Sequence, residues 1–388
     1  MSIASPDWWQ VLPPDFYRQP HRTEMDDRHP FKVQATAAAD VLMRTGLAST
    51  VMLAMLPQLL SRERREQELA WVSFYQEQAH GRADEVFRAP PSGVEVFRGT
   101  PGLLGSFGAR PPDARVDRLR FFSPYEALNP ALRADYRAFT QNHHVAAEHW
   151  RHPDGPRKTL IFLHGYFLDA YWINSLMFSL RWFYAQGYDI LLYTLPFHGS
   201  RRAPFEPFSG FGYFSNGMAH VNEAMLQAIH DLRVWMDYLE GEGVTTMGVS
   251  GLSLGGYLSA LATSVEPRLK FAIPNAPVVL PMDMIMEWPP LSVAYRHLLA
   301  PHGLDIVALR HFMALHCPLT YTPVIEPERL LVIGGAGDRF TAPRYVNLLH
   351  EHWAGSQMHW FPGNHVFHLQ QREYLRLMRD FMNRCCAA

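Results

Sequence analysis

The sequence is short of what several large functional classes require. It has three cysteines in 388 residues, Cys317 alone and Cys385 beside Cys386, an odd set without the spacing of a disulfide framework or a zinc site. A reducing cytoplasm is the expected compartment. There is no excess of charge of either sign, because 35 Lys and Arg oppose 37 Asp and Glu. That balance removes the basic footprint by which proteins hold nucleic acid. The start of the chain, with Asp7, Trp8 and Trp9, lacks the basic residues and apolar run of a secretory signal. Long apolar runs are also missing: the most apolar early stretch, Gly46 to Leu60, is too short to cross a bilayer and contains Pro57. Packing on a core is expected of it, rather than membrane contact.

What is present is the composition of a globular protein. Hydrophobic residues make up 48% and charged residues 19%, enough to bury a sizeable core, and the length suits one core with insertions. Residues 1–114 read as a mainly helical N-terminal extension, closed by a Pro- and Gly-rich stretch from Pro90 to Pro112. From 115 to 388 short apolar runs alternate with amphipathic helices, the pattern of an α/β protein with a mostly parallel sheet. Strands are expected at Arg118–Phe122, Val145–Trp150, Thr159–Leu163, Asp189–Tyr193, Thr246–Val249, Leu269–Ile273 and Leu330–Ile333. Val221 to Leu239 carries apolar residues at helical spacing.

One strand runs into Gly251-Leu252-Ser253-Leu254-Gly255-Gly256 and then a helical pattern. Small residues flank the serine because a turn this tight has no room for side chains, and the turn lifts the hydroxyl clear of the sheet. A serine hydroxyl is a poor nucleophile at neutral pH and needs a base, supplied by a histidine that a carboxylate orients. Asp338 follows the late strand in Gly334-Gly335-Ala336-Gly337-Asp338, and His365 follows in Trp360-Phe361-Pro362-Gly363-Asn364-His365, ahead of the closing helix. Three chemistry-bearing residues thus fall on loops after strands, in the order nucleophile, acid, base. Asp283 is the rival acid, and His368, one turn into the closing helix, the rival base. Charge developing on a substrate oxygen needs backbone N–H donors. Leu254 opens the helix after the serine, and Tyr166, on the loop Leu163-His164-Gly165-Tyr166, is the expected second donor. His164 is read as a loop-stabilising residue.

These segments resemble the α/β-hydrolase superfamily over about residues 115–388: His164-Gly165 is similar to its oxyanion loop, Ser253 to its elbow nucleophile, Gly335 to Asp338 to its acid loop and Gly363 to His365 to its histidine loop. Leu195 to Arg201 resembles the turn after its fourth strand. The resemblance implies a serine hydrolase acting on a carboxylic ester or thioester through an acyl-enzyme, without metal or organic cofactor. Its alternatives are an acyltransferase with the same triad and a non-catalytic scaffold that binds. Two insertions, about 201–220 and 276–323, are expected lids. The first holds Phe205, Phe208, Phe211, Tyr213 and Phe214, and the second Met282, Met284, Ile285, Met286 and Trp288. Such surfaces suit a small-molecule substrate with an apolar acyl group.

Overall fold

The computed structural model describes residues 7–101 and 110–387. The middle of the Pro90 to Pro112 stretch lies outside the described residues. Among the described residues nine strands join in one sheet: β1 (Phe97–Gly99), β2 (Arg115–Phe122), β3 (His144–Arg151), β4 (Thr159–Leu163), β5 (Asp189–Tyr193), β6 (Met247–Leu252), β7 (Leu269–Asn275), β8 (Leu331–Gly335) and β9 (Gln357–Phe361). Their order across the sheet is β1-β2-β3-β5-β4-β6-β7-β8-β9. The pairs β1·β2, β2·β3 and β3·β5 are antiparallel, and every pair from β5·β4 to β8·β9 is parallel.

Every residue of β4, β5, β6 and β8 is buried, as expected of parallel strands covered on both faces. Their alternation divides the core in two. Ile161, Leu163, Val249 and Val332 face one layer, with the helices Met218–Gly241 and Leu254–Ala262. Leu160, Phe162, Ile273 and Ile333 face the other, against the helices Leu180–Ala185 and Gln371–Ala387.

The expected strands are all present, and two of them, β4 and β5, have the expected bounds. Two further strands had no clear signal. β1 is three exposed residues, and β9 is an edge strand whose polar Gln357 and His359 interrupt its apolar pattern. His368 lies in the loop before the closing helix, which begins at Gln371, and not within its first turn.

The N-terminal region differs most from expectation. The apolar stretch is not confined to Gly46–Leu60: a single helix of 31 residues runs from Pro30 to Leu60, long and apolar enough by length and composition to cross a membrane. The Ala-rich segment 35–39 extends it backwards, because alanine is the best helix former and nothing there interrupts it. Pro30 is tolerated in the first turn. One face packs through Val33, Ala37, Asp40, Ala48, Val51 and Ala54, while Phe31, Leu42, Leu53 and Leu60 are exposed. Trp8, Trp9 and Tyr75 join the same core layer as Met218–Gly241. That helix is therefore buried on nearly all sides and not on one face alone.

Candidate active site

Strand register brings the site to one edge. Leu163 of β4 pairs with Gly251 of β6, Leu252 with Asn275 of β7, and Gly335 of β8 with Phe361 of β9. The loops that leave these carboxyl ends carry Tyr166, Ser253, Asp338 and His365 in turn.

Ser253 has φ 58° and ψ −112°, a left-handed backbone that a residue with a side chain adopts at a cost of about 1–3 kcal/mol. The turn is held by Ser253 N–H donating to Asn275 O at 3.0 Å, and by Tyr257 N–H and Val278 N–H donating to Ser253 O at 2.9 and 3.2 Å. The small residues around it answer to contact: a Cβ on Gly255 would lie 2.0 Å from Leu163 O, and one on Gly251 would lie 2.5 Å from the Gly255 carbonyl. Leu254 begins the helix Leu254–Ala262, so its N–H belongs to a free N-terminal turn. A Cβ on Gly165 would sit 3.5 Å from that of Ser253. The loop bearing Tyr166 therefore runs directly alongside the serine.

His365 Nδ1 donates to Asp338 Oδ2 at 2.8 Å, and both residues are buried. Asp338 accepts three more hydrogen bonds, from Phe340 N–H (2.8 Å), Thr341 N–H (2.7 Å) and Thr341 Oγ1 (2.7 Å). Burial alone favours the neutral acid, but the His365 charge and these donors outweigh it and hold Asp338 below the ordinary carboxylate range. Burial likewise opposes the imidazolium, and Asp338 overrides it, so His365 titrates above its usual value. The Phe340 ring stacks on the imidazole at 4.8 Å. With Nδ1 engaged, Nε2 is the ring nitrogen left to take a proton.

Ser253 and His365 are walls of one cavity of about 280 Å³. Among the described residues no hydrogen bond links Ser253 Oγ to His365 Nε2, the contact expected from the sequence. Links of this kind are commonly loose before substrate binds. Among the described residues, seven methionines line the cavity, and His365 and two tyrosines are its ionisable groups. Tyr166 OH is committed to Gly210 O at 2.8 Å and Tyr213 OH to Met225 Sδ at 3.1 Å. From the expected lids, Tyr213, Phe214, Met282, Met284, Ile285 and Trp288 reach the cavity, whereas Phe205 is exposed. Leu47, Val51 and Met55 of the helix Pro30–Leu60 form a further wall that local sequence patterns do not announce.

The rivals have other partners. Asp283 forms a buried ion pair with Arg310 at 2.5 Å. His368 Nδ1 bonds Tyr374 OH at 2.7 Å, and burial lowers its pKa to about 4. His164 accepts from Leu195 N–H at 3.1 Å and donates from Nδ1 to Gly165 O at 2.8 Å, a tie within the loop. Arg201 is buried against Asp231 at 2.8 Å.

Among solved structures, acetyl xylan esterase 1 from Thermoanaerobacterium sp. JW/SL YS485 superposes with a TM-score of 0.55 at 14% identity, covering 81% of this chain and 93% of that one. This is the α/β-hydrolase fold. A second α/β-hydrolase, the acetyl xylan esterase from Paenibacillus sp. R4, gives a TM-score of 0.50 at 15% identity over 80% of this chain and 93% of its own. The family described as alpha/beta hydrolase domain containing 18 matches residues 176–280, a segment that includes Ser253 and stops short of Asp338 and His365. Protein MT2702 of Mycobacterium tuberculosis (strain CDC 1551 / Oshkosh) is 27% identical over 320 residues, 77% of this chain and 75% of its own length. Rv2627c of Mycobacterium tuberculosis (strain ATCC 25618 / H37Rv) is 27% identical over 261 residues, 66% of this chain and 61% of its own.

Proposed function

We propose that this protein is a serine hydrolase that cleaves carboxylic esters or thioesters of an apolar acyl group. Ser253 Oγ attacks the carbonyl carbon while its proton passes to His365 Nε2, and Asp338 holds the imidazole in the tautomer that can accept it. The carbonyl electrons move to oxygen, where Leu254 N–H and Tyr166 N–H donate. As the tetrahedral intermediate collapses, the imidazolium gives its proton to the leaving alcohol or thiol. Water then releases the acid by the same route in reverse.

The observation that carries this reading is the sharing of one apolar cavity by Ser253 and a His365 already bonded to Asp338. A cavity whose charge-bearing wall is a single imidazole favours a neutral acyl chain over a charged substrate. Three unpaired thiols suit a cytoplasmic setting. The test is a series of p-nitrophenyl esters of increasing acyl length. Turnover should rise with chain length to an optimum beyond acetyl and vanish in Ser253→Ala. Equal turnover across the series, or turnover surviving in Ser253→Ala, contradicts the assignment.

A further inference from the structure

The helix Pro30–Leu60 approaches the site from outside the sheet, and its inner face touches both the acid and the histidine loops. Thr36 O accepts from Asn364 Nδ2 at 2.8 Å, and Arg44 Nη1 donates to Arg339 O at 2.8 Å. A Cβ on Gly337 would lie 2.3 Å from Thr36 Oγ1 and 2.9 Å from Val33 O, so the helix packs directly on the acid loop. Between these ties sits Asp40, fully buried. Its Oδ2 accepts from Arg339 N–H at 2.6 Å, with longer contacts from Phe340 N–H at 3.4 Å and from the N–H of His365 itself at 3.5 Å. Its Oδ1 is buried without a partner among the described residues. A buried carboxylate with one oxygen unmatched is costly to maintain.

We propose that Asp40 is a positioning residue, tying the loop of Asp338 to the loop of His365 and setting a second negative charge beside the imidazolium formed when Ser253 gives up its proton. The proposal rests on the serine hydrolase reading. Among the described residues four groups face this carboxylate: Arg44 from its own helix, Asp338 and Arg339 from the acid loop, and His365 from the histidine loop. Glu287 stands behind Arg44, 4.0 Å away. Burial and the Asp338 charge push the Asp40 pKa up to about 7, against the pull of His365 and the backbone donors. Its charge in turn helps hold His365 above its usual pKa. The N-terminal helix thereby becomes part of the reacting centre without touching substrate through Asp40.

The experiment is the rate of covalent labelling by an alkyl fluorophosphonate as a function of pH, in which Ser253 Oγ bonds phosphorus, fluoride leaves and the serine proton passes to His365. Wild type, Asp40→Asn and Asp40→Ala are compared, with thermal melting followed for each. Asp40→Asn keeps an acceptor for the Arg339 N–H but no charge, so the imidazole titrates lower. Its rate should begin to rise at lower pH than in wild type and level off several-fold lower. Asp40→Ala, which loses the tie as well, should fall about 10- to 100-fold, as misplaced catalytic groups do. A labelled wild type with Asp40→Asn matching it in limb and plateau overturns the role of Asp40 alone, and so does loss of cooperative melting in Asp40→Asn, which would assign the residue to the fold. A folded wild type that takes no label overturns the serine hydrolase reading and this proposal with it.

Discussion

Asp338 does two things through its two oxygens. Oδ1 takes the backbone N–H groups of Phe340 and Thr341, which shapes its own loop, and Oδ2 takes the Thr341 hydroxyl and the imidazole. An amide in its place would keep much of the loop while presenting no charge to His365. The raised His365 pKa then falls, and because the base must be neutral to work, the rising limb of the pH–rate profile moves to lower pH. Asp338→Asn is expected to show that shift together with a loss in kcat of about 10⁴-fold, the scale of a wrongly oriented base. An unmoved limb at unchanged rate, read from kcat between pH 4 and 9, would contradict the role given to Asp338. At this scale the sequence was informative where chemistry sits in punctuated text. Ser253, Asp338 and His365 each follow an apolar run and small residues. Asp40 is separated from Arg339 by 299 positions and lies among alanines. Its one local mark is that it is the sole acid between Pro30 and Leu60.

At the scale of elements, helix ends decide more than helix faces. The helix Met218–Gly241, whose inner turns meet the cavity at Val221 and Met225, starts at Gly217 without a capping side chain of its own. Glu68, from the helix Arg62–Gln78, supplies the missing acceptor: its Oε2 takes Ala219 N–H at 3.1 Å. A Cβ on Gly217 would be 2.1 Å from Glu68 Oε1, so that position is confined to glycine by contact as well as by its φ of 100°. Burial raises the Glu68 pKa to about 7. A raised folded-state pKa contributes stability that is whole below the unfolded carboxylate value and lost as pH climbs through about 7, worth roughly 3 kcal/mol. Gln cannot ionise yet still accepts the N–H. Glu68→Gln is therefore expected to melt a few degrees higher than wild type at pH 8.5 and close to it at pH 5, measured by calorimetry. Parallel melting at both pH values would contradict an ionising Glu68. This capping pair was invisible in the sequence because no local pattern joins residue 68 to residue 219. The strand β9 was missed for a different reason, since at the sheet edge only Phe361 is fully buried and the polar Gln357 and His359 break the apolar run that marks a central strand.

For the whole molecule, one sheet edge gathers Ser253, Asp338 and His365, and the surrounding segments wall the cavity beside them. The parallel strands were legible because burial on both faces writes continuous apolar runs, and so the loop positions of Ser253, Asp338 and His365 were legible too. The cavity was legible only in part. The aromatic and methionine segments near 213 and 282–288 announced an apolar wall, but the wall from Leu47, Val51 and Met55 depends on where a distant helix docks, which periodicity does not encode. The proposed chemistry requires that the Ser253 hydroxyl at this edge be nucleophilic and that His365 make it so. The direct measurement is fluorophosphonate labelling followed by peptide mapping. A single adduct on Ser253 is expected in wild type, absent from Ser253→Ala and from a folded His365→Ala. A folded wild type that remains unlabelled, or an adduct that persists unchanged in His365→Ala, would contradict it.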